Sequence, residues 1–160
     1  VRNHYVDLFE NDSRWLKRAR QVAERTFEFS EFLVDVLKVE DVGASLNARI
    51  TYHDSCHLMR GIGVSRQPRK LIANVKGIDF VEMHDSDRCC GFGGAFSFKY
   101  PDISTAMLEE KVRNIEASGA GVVVGCDMGC LMNIQGMLNR KNSNINTMHI
   151  AELLDHDTHA

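Results

Sequence analysis

The chain has 160 residues, of which 44% are hydrophobic and 26% charged, with a formal net charge of −3. That length and balance describe one globular unit and exclude a disordered segment. The small negative charge gives no electrostatic case for nucleic acid or an anionic membrane as partner, and no apolar run approaches the roughly 20 residues of a membrane span.

The opening Val1-Arg2-Asn3-His4-Tyr5 is neither a signal peptide nor an initiator methionine, so the chain reads as the second part of something longer. Five cysteines, an odd number, without a secretion signal argue against a disulfide framework and for thiols in a reducing cytoplasm.

Asp12 and Ser13 are caps for a helix beginning near Arg14, with Trp15, Ala19, Val22, Ala23 and Phe27 at helical spacing. Ser30 is the expected cap of a second helix, with Phe32, Leu33, Val36 and Leu37 inward and Gly43 near its end. Residues 1–44 are thus expected to be a helical segment, serving as core or docking surface. After residue 45 the character changes. β-like runs cover Ala48–Tyr52, Ile78–Met83, Gly121–Gly125 and Ile145–His149, and helical stretches cover Gln67–Val75, Asp102–Ala117 and Leu131–Leu138. Gly119 is the expected stop of the second of these. Strands alternating with helices predict an α/β domain over residues 45–160: a parallel sheet of about four strands with flanking helices, preceded by two helices.

The cysteines follow the strands. Cys56 comes after the first run, Cys89 and Cys90 after the second, Cys126 and Cys130 after the third, and His149 closes the fourth. Thirty-two residues separate Cys56 from the adjacent pair, 35 separate the pair from Cys126, and three lie between Cys126 and Cys130. Loops beyond the carboxyl ends of parallel strands share one rim, so thiols distant in sequence are expected to meet there. Converging thiolates suit an iron–sulfur cluster or zinc. The spacing matches neither the compact ferredoxin run nor paired C-x-x-C zinc knuckles. Adjacent side chains diverge, which disfavours one small ion but suits a polynuclear cluster whose irons they bind separately. The competing reading is buried free thiols, strongest for Cys126, which could simply end a strand.

Gly91-Phe92-Gly93-Gly94 lets the backbone come close to a bulky group and aim N–H groups at its sulfurs. It lacks the full dinucleotide fingerprint and the P-loop lysine and hydroxyl, so as a nucleotide signature it is weak. His53 and His57 flank Cys56; either is a candidate ligand or a hydrogen-bond donor to a sulfur. His53 reads equally as a plain polar loop residue, whereas His57 is the candidate for that hydrogen-bonding role. His149 stands between rim function and helix capping, and His4, His84, His156 and His159 carry no signal. Met107, Met128, Met132 and Met137 sit at helical spacing and read as core.

At these residues the chain resembles the cysteine-rich, or CCG-domain, family, which includes the cysteine-rich chain of heterodisulfide reductase, the iron–sulfur subunit of glycolate oxidase and the lactate-utilisation proteins. The resemblance rests on Asp54-Ser55-Cys56-His57, Cys89-Cys90-Gly91-Phe92-Gly93-Gly94, Gly129-Cys130-Leu131-Met132-Asn133-Ile134 and Met148-His149-Ile150-Ala151-Glu152. It covers nearly the whole chain and is strongest to the carboxyl-terminal half of the lactate-utilisation branch. It implies an iron–sulfur protein, of the 4Fe-4S type, that passes electrons in oxidation of L-lactate or a related 2-hydroxy acid together with partner subunits. The implied metal ligands are Cys56, Cys89, Cys90 and Cys130, with Cys126 a weaker fifth. Gly91, Gly93, Gly94 and His57 are implied around the cofactor. Family members carry two such cysteine motifs in tandem and only the second is present here. The family pattern ends in C-x-x-C, whereas three residues part Cys126 from Cys130. Zinc replaces the cluster in some relatives, so a zinc-binding structural or assembly module of a redox complex is the alternative. A thiol–disulfide enzyme is a third reading, opposed by the strain of a vicinal disulfide and the lack of C-x-x-C.

Overall fold

The computed structural model describes residues 1–156, so His159 lies outside the described residues. Four strands, β1 (Ser45–His53), β2 (Lys76–Phe80), β3 (Val122–Gly125) and β4 (Asn146–His149), form one all-parallel sheet in the order β2-β1-β3-β4. The longest strand, β1, and the solid apolar β3 occupy its centre, as strands covered on both faces should.

Side chains alternate across a strand, and the two faces build two cores. Ile50 and Tyr52 of β1 and Val124 of β3 meet Leu71, Ile72, Val75, Ile150, Leu153 and Leu154 on one face. Those partners come from α5 (Arg66–Ala73), the residues just after it, and α9 (Ile150–Leu154). On the other face Val123 meets Leu108, Val112 and Ile115 of α7 (Pro101–Ser118) and Ile134, Met137 and Leu138 of α8 (Met128–Arg140). Gly119 closes α7 at φ +70, the left-handed cap expected of it. Ahead of the sheet come α1 (His4–Leu8), α2 (Ser13–Ala23) and α3 (Phe29–Glu31). Among the described residues no helix is long and apolar enough to cross a membrane.

The helix of residues 13–23 begins as expected, Asp12 accepting from the Arg14 and Trp15 amides at 3.1 and 3.2 Å. Its inward residues are Ala19 and Ala23, while Trp15 and Val22 are exposed. The following helix departs from expectation. Its cap is Glu28, which accepts from Ser30 and Glu31, so Ser30 is inside the first turn. The helix then widens into a π turn over Phe32–Val36, and one extra residue per turn rotates the pattern. Val34 is buried, and Phe32, Val36 and Leu37 face outward. Lys38, at φ +58, ends this stretch, and Gly43, at φ +83, lies in the irregular run before β1. β2 stops at Phe80, where its pairing with β1 ends at Ile50, instead of running on to Met83. Three helices carry no signal in the sequence, α1, α4 (Cys56–Ile62) and α6 (Ala95–Lys99), and α9 is signalled only by His149 as its cap. Each is five to seven residues, too short to show a period.

Candidate metal centre

The chain leaves β1 towards β2 and leaves β3 towards β4, in opposite directions along the sheet. Connections part at such a switch point and a crevice opens beyond the carboxyl ends. Here the crevice is a cleft of about 390 Å³ lined by Cys56, Cys89, Cys90 and Cys130, with His57, Phe92, Gly93, Gly94 and Asp127. All five cysteines are free thiols.

Each wall of the cleft has a local cause. Past β1, Ser55 precedes α4, whose first residue is Cys56. Past β3, Asp127 caps α8: its Oδ1 accepts from the Gly129 and Cys130 amides at 2.9 and 3.2 Å, which puts Cys130 in the first helical turn. The other Asp127 oxygen accepts from the Ser55 hydroxyl at 3.0 Å, tying the two strand ends together. Cys89 and Cys90 belong to the segment after β2. There Gly91 has φ +82, and a Cβ on it would lie 2.5 Å from the Ser104 carbonyl oxygen, so only glycine fits. The Ser104 hydroxyl donates to the Gly91 carbonyl at 2.8 Å and the Asn133 amide donates to the Cys90 carbonyl at 3.0 Å.

The thiols form two pairs. Cys90 and Cys130 are the buried pair. Cys90 ionises far more readily than an ordinary thiol, because the Cys130 thiol, and then His53 and the Phe92 amide, stabilise its thiolate against the opposing effect of burial. Cys130 is pushed up in turn, by its bond to Cys90 and by burial. Cys89 and Cys56 are half-buried towards the mouth. Burial raises the Cys89 pKa, and the neighbouring thiols raise it further, against the Gly91 amide, which donates to Cys89 Sγ at 3.4 Å. Metal ligation requires thiolates, and this arrangement readies Cys90 first.

His53, the last residue of β1, is 1% exposed, and neither ring nitrogen has a hydrogen-bond partner. A ring nitrogen and the Sγ atoms of Cys90 and Cys130 all lie within 4.8 Å of one another. His57, by contrast, is exposed at the cleft mouth on α4. A buried imidazole without partners beside two thiols is the donor chemistry of a metal site, and the residues present fit one.

Cys126 is placed elsewhere. It lies two residues beyond Val124, hence on the same face, and packs into that face's core. Its Sγ lies 3.3 Å from the Tyr52 hydroxyl, and burial lifts its pKa to about 12. The sheet therefore separates Cys126 from the cleft. His149 is a cap: its Nδ1 accepts from the Ala151 amide and its Nε2 lies 3.2 Å from the Cys126 carbonyl. Of the methionines read as core, Met137 is buried, but Met128 and Met132 of α8 are exposed.

A polar network behind the cleft had no signal in the sequence. The Arg69 guanidinium grips Asp54 with two bonds of 2.9 and 2.7 Å, and Glu82 with two of 2.7 Å. It also lies over the Tyr52 ring, 4.9 Å from the centroid. Asp54 accepts from the Ser65 and Ser86 hydroxyls as well, at 3.1 Å each. Burial would raise the Asp54 pKa, but Arg69 outweighs it and holds the carboxyl below its usual range. Lys111, fully buried on α7, donates to the carbonyls of Asp85 and Ser86 at 2.6 and 3.2 Å.

A parallel α/β sheet with a cysteine-lined cleft at its switch point defines the class: a cysteine-rich domain of doubly wound type. The chain belongs to the cysteine-rich (CCG) domain family, which matches residues 50–135. It is 49% identical over 151 residues to lactate utilization protein A of Bacillus subtilis (strain 168), covering 94% of this chain and 63% of that protein. It is 48% identical to lactate utilization protein A of Lysinibacillus sphaericus (strain C3-41), over 94% of this chain and 66% of that protein. It is also 44% identical to lactate utilization protein A 2 of Bacillus cereus (strain 03BB102), over 96% and 64%. The chain thus spans slightly less than two thirds of the length of these relatives.

Proposed function

We propose that this chain carries an iron–sulfur centre and passes electrons within a lactate-utilisation complex, acting with partner subunits that oxidise L-lactate or a related 2-hydroxy acid. The observation that carries this reading is the meeting of Cys56, Cys89, Cys90 and Cys130 in one cleft at the switch point, in a chain similar to proteins named for lactate utilisation. A cluster held there supplies one-electron chemistry. Cys90 and Cys130 form the inner wall and Cys89 and Cys56 the outer, so four thiolates from three segments can face one polynuclear group. Gly91 brings the backbone close, and Gly93 and Gly94 leave the mouth open to a partner. Asp54, Arg69 and Lys111 hold the loop that presents the vicinal thiols. Proton and hydride removal from the hydroxy acid belongs to the partners, and the cytoplasm is the expected location. Residues 45–160 are the cysteine-rich domain proper in this reading, and residues 1–44 a docking segment.

One observation favours a second reading. His53, Cys90 and Cys130 lie close enough for one small cation, and mixed nitrogen and sulfur donors are the usual ligands of structural zinc. Anaerobic purification with iron, sulfide and zinc analysis separates the two. Iron and sulfide in comparable amounts, with visible colour, support the electron-carrier reading. Stoichiometric zinc in a colourless protein replaces it with the structural one, and a chain that takes up neither refutes both.

A further inference from the structure

We propose that His53 is a direct nitrogen ligand of this centre, so that the site is of mixed imidazole and thiolate type. The inference rests on the metal-binding reading of the cleft.

Several observations converge on the ring. Its backbone is the end of β1, paired with β3 at Gly125, so its position does not depend on a loop. Strand alternation puts Tyr52 on the Cys126 face and His53 on the face of Cys90 and Cys130. Both ring nitrogens are stripped of water, and neither has a hydrogen bond of ordinary geometry, although the ring lies near enough to Cys90 to favour its thiolate. Buried polar atoms without partners are rare and point to an ion or water bound beside them. Tetrahedral Zn–S and Zn–N bonds put donor atoms roughly 3.6–3.8 Å apart, and the three donors here all lie within 4.8 Å of one another, so a small closure around an ion brings them to ligand spacing. With Cys126 across the sheet, four thiols face the cleft, and the imidazole takes the place of one of them or adds to them. His53, Cys90 and Cys130 are also the group of three potential ligands that the described residues bring together.

Ligation has an electronic consequence. A neutral imidazole in place of a thiolate leaves the centre less negative, and histidine-for-cysteine exchange raises the reduction potential of iron–sulfur centres. His53→Cys is therefore expected to lower the midpoint potential.

The test is pulsed EPR of the full chain, purified anaerobically after growth with 14N- or 15N-histidine, with X-ray absorption in its place if the metal is zinc. The expected result is an isotope-dependent nitrogen coupling of ligand strength, or a nitrogen in the zinc shell. His57→Ala retains it and His53→Ala loses it. A centre with only sulfur ligands, or a nitrogen signal abolished by His57→Ala, overturns the assignment while leaving the metal-binding reading intact. A chain holding no metal overturns both. If His53→Ala fails to fold, the wild-type isotope result together with His57→Ala still decides the matter.

Discussion

Replacing Arg69 by methionine tests whether the polar network behind the cleft holds it in place. Asp54 has only 3% of its side chain exposed and Arg69 24%. Removing one partner of a buried ion pair typically costs about 3–5 kcal/mol, because the other charge is stranded. Water reaches Arg69 on one side, so about 2–3 kcal/mol is the expected loss at neutral pH. In a domain of this size that lowers Tm by roughly 5–10 °C. The pH dependence identifies the cause. Asp54 has a folded-state pKa below its unfolded one. Its contribution is therefore present above the ordinary carboxylate pKa of about 3.9 and is lost as pH falls through the lower folded value. In Arg69→Met the stranded carboxyl is shifted upward by burial instead. The stability gap between the two proteins should thus be wide at pH 7, narrow as pH falls through the raised value of the stranded carboxyl, and close once pH passes below the depressed wild-type value. Adding Asp54→Asn to Arg69→Met should recover part of the loss, since no charge then stays buried. Urea unfolding of the metal-free chain at a series of pH values measures all three. A gap under about 0.5 kcal/mol, the level of an ordinary surface substitution, or one unchanged with pH, would refute the reasoning.

Cys130→Ser should abolish metal uptake, whereas Cys126→Ser should keep full metal content and cost only about 1 kcal/mol through the lost Tyr52 contact; metal analysis and thermal melting of the two variants check this. Gly91→Ala, with its methyl driven against the Ser104 carbonyl at positive φ, should cost about 1–3 kcal/mol or more and displace Cys90, read as lower stability together with weakened metal binding. Burial lowers the Lys111 pKa to about 8, so the unfolded chain binds more protons from there up to the free lysine value near 10.4. Stability should rise across that window by roughly 2–3 kcal/mol. The rise should vanish in Lys111→Met, as compared by unfolding at pH 7.5 and at about pH 10.4.

Much of the sheet is legible because its signal is local. Val122-Val123-Val124 is an uninterrupted apolar run, and Gly119 sits where a helix must stop. The short helices are not legible, since five to seven residues hold too few turns for a period, and they form because the strands fix their ends. The π turn at Phe32–Val36 shifts a helical pattern by one residue, which a 3.6-residue reading cannot anticipate. The cleft was legible through one rule, that loops after parallel strands share a rim. The histidine nearest the thiols was not, because flanking Cys56 in sequence says nothing about direction. A period of two would have helped. Val124 and Cys126 share a face, as do Thr51 and His53, and once Val123 is assigned to the α7 and α8 side the other assignments follow. Asp54, Arg69, Ser86 and Lys111 are spread over 58 positions and carry no spacing to detect.

That network explains how a glycine-rich segment can present two adjacent thiols reliably. Loops after strands are ordinarily the mobile part of a fold, and a metal would have to order them at a cost in affinity. Here the segment from residue 85 to 91 is fixed from three separate elements before any metal arrives. Lys111 of α7 holds the Asp85 and Ser86 carbonyls. Asp54, beyond β1, accepts from the Ser86 hydroxyl and donates its amide to the Ser86 carbonyl. Asn133 of α8 holds the Cys90 carbonyl, and Ser104 of α7 holds Gly91. The anchors come from elements that cover the sheet, so the positions of the vicinal thiols are set by the same packing that stabilises the fold. Among the described residues, 93 and 94 are anchored only from the adjoining turn, by the Phe96 amide on the Gly93 carbonyl and the Ser97 hydroxyl on the Gly94 carbonyl. The fixed part of the loop therefore bears the thiols, and the looser part borders the opening of the cleft.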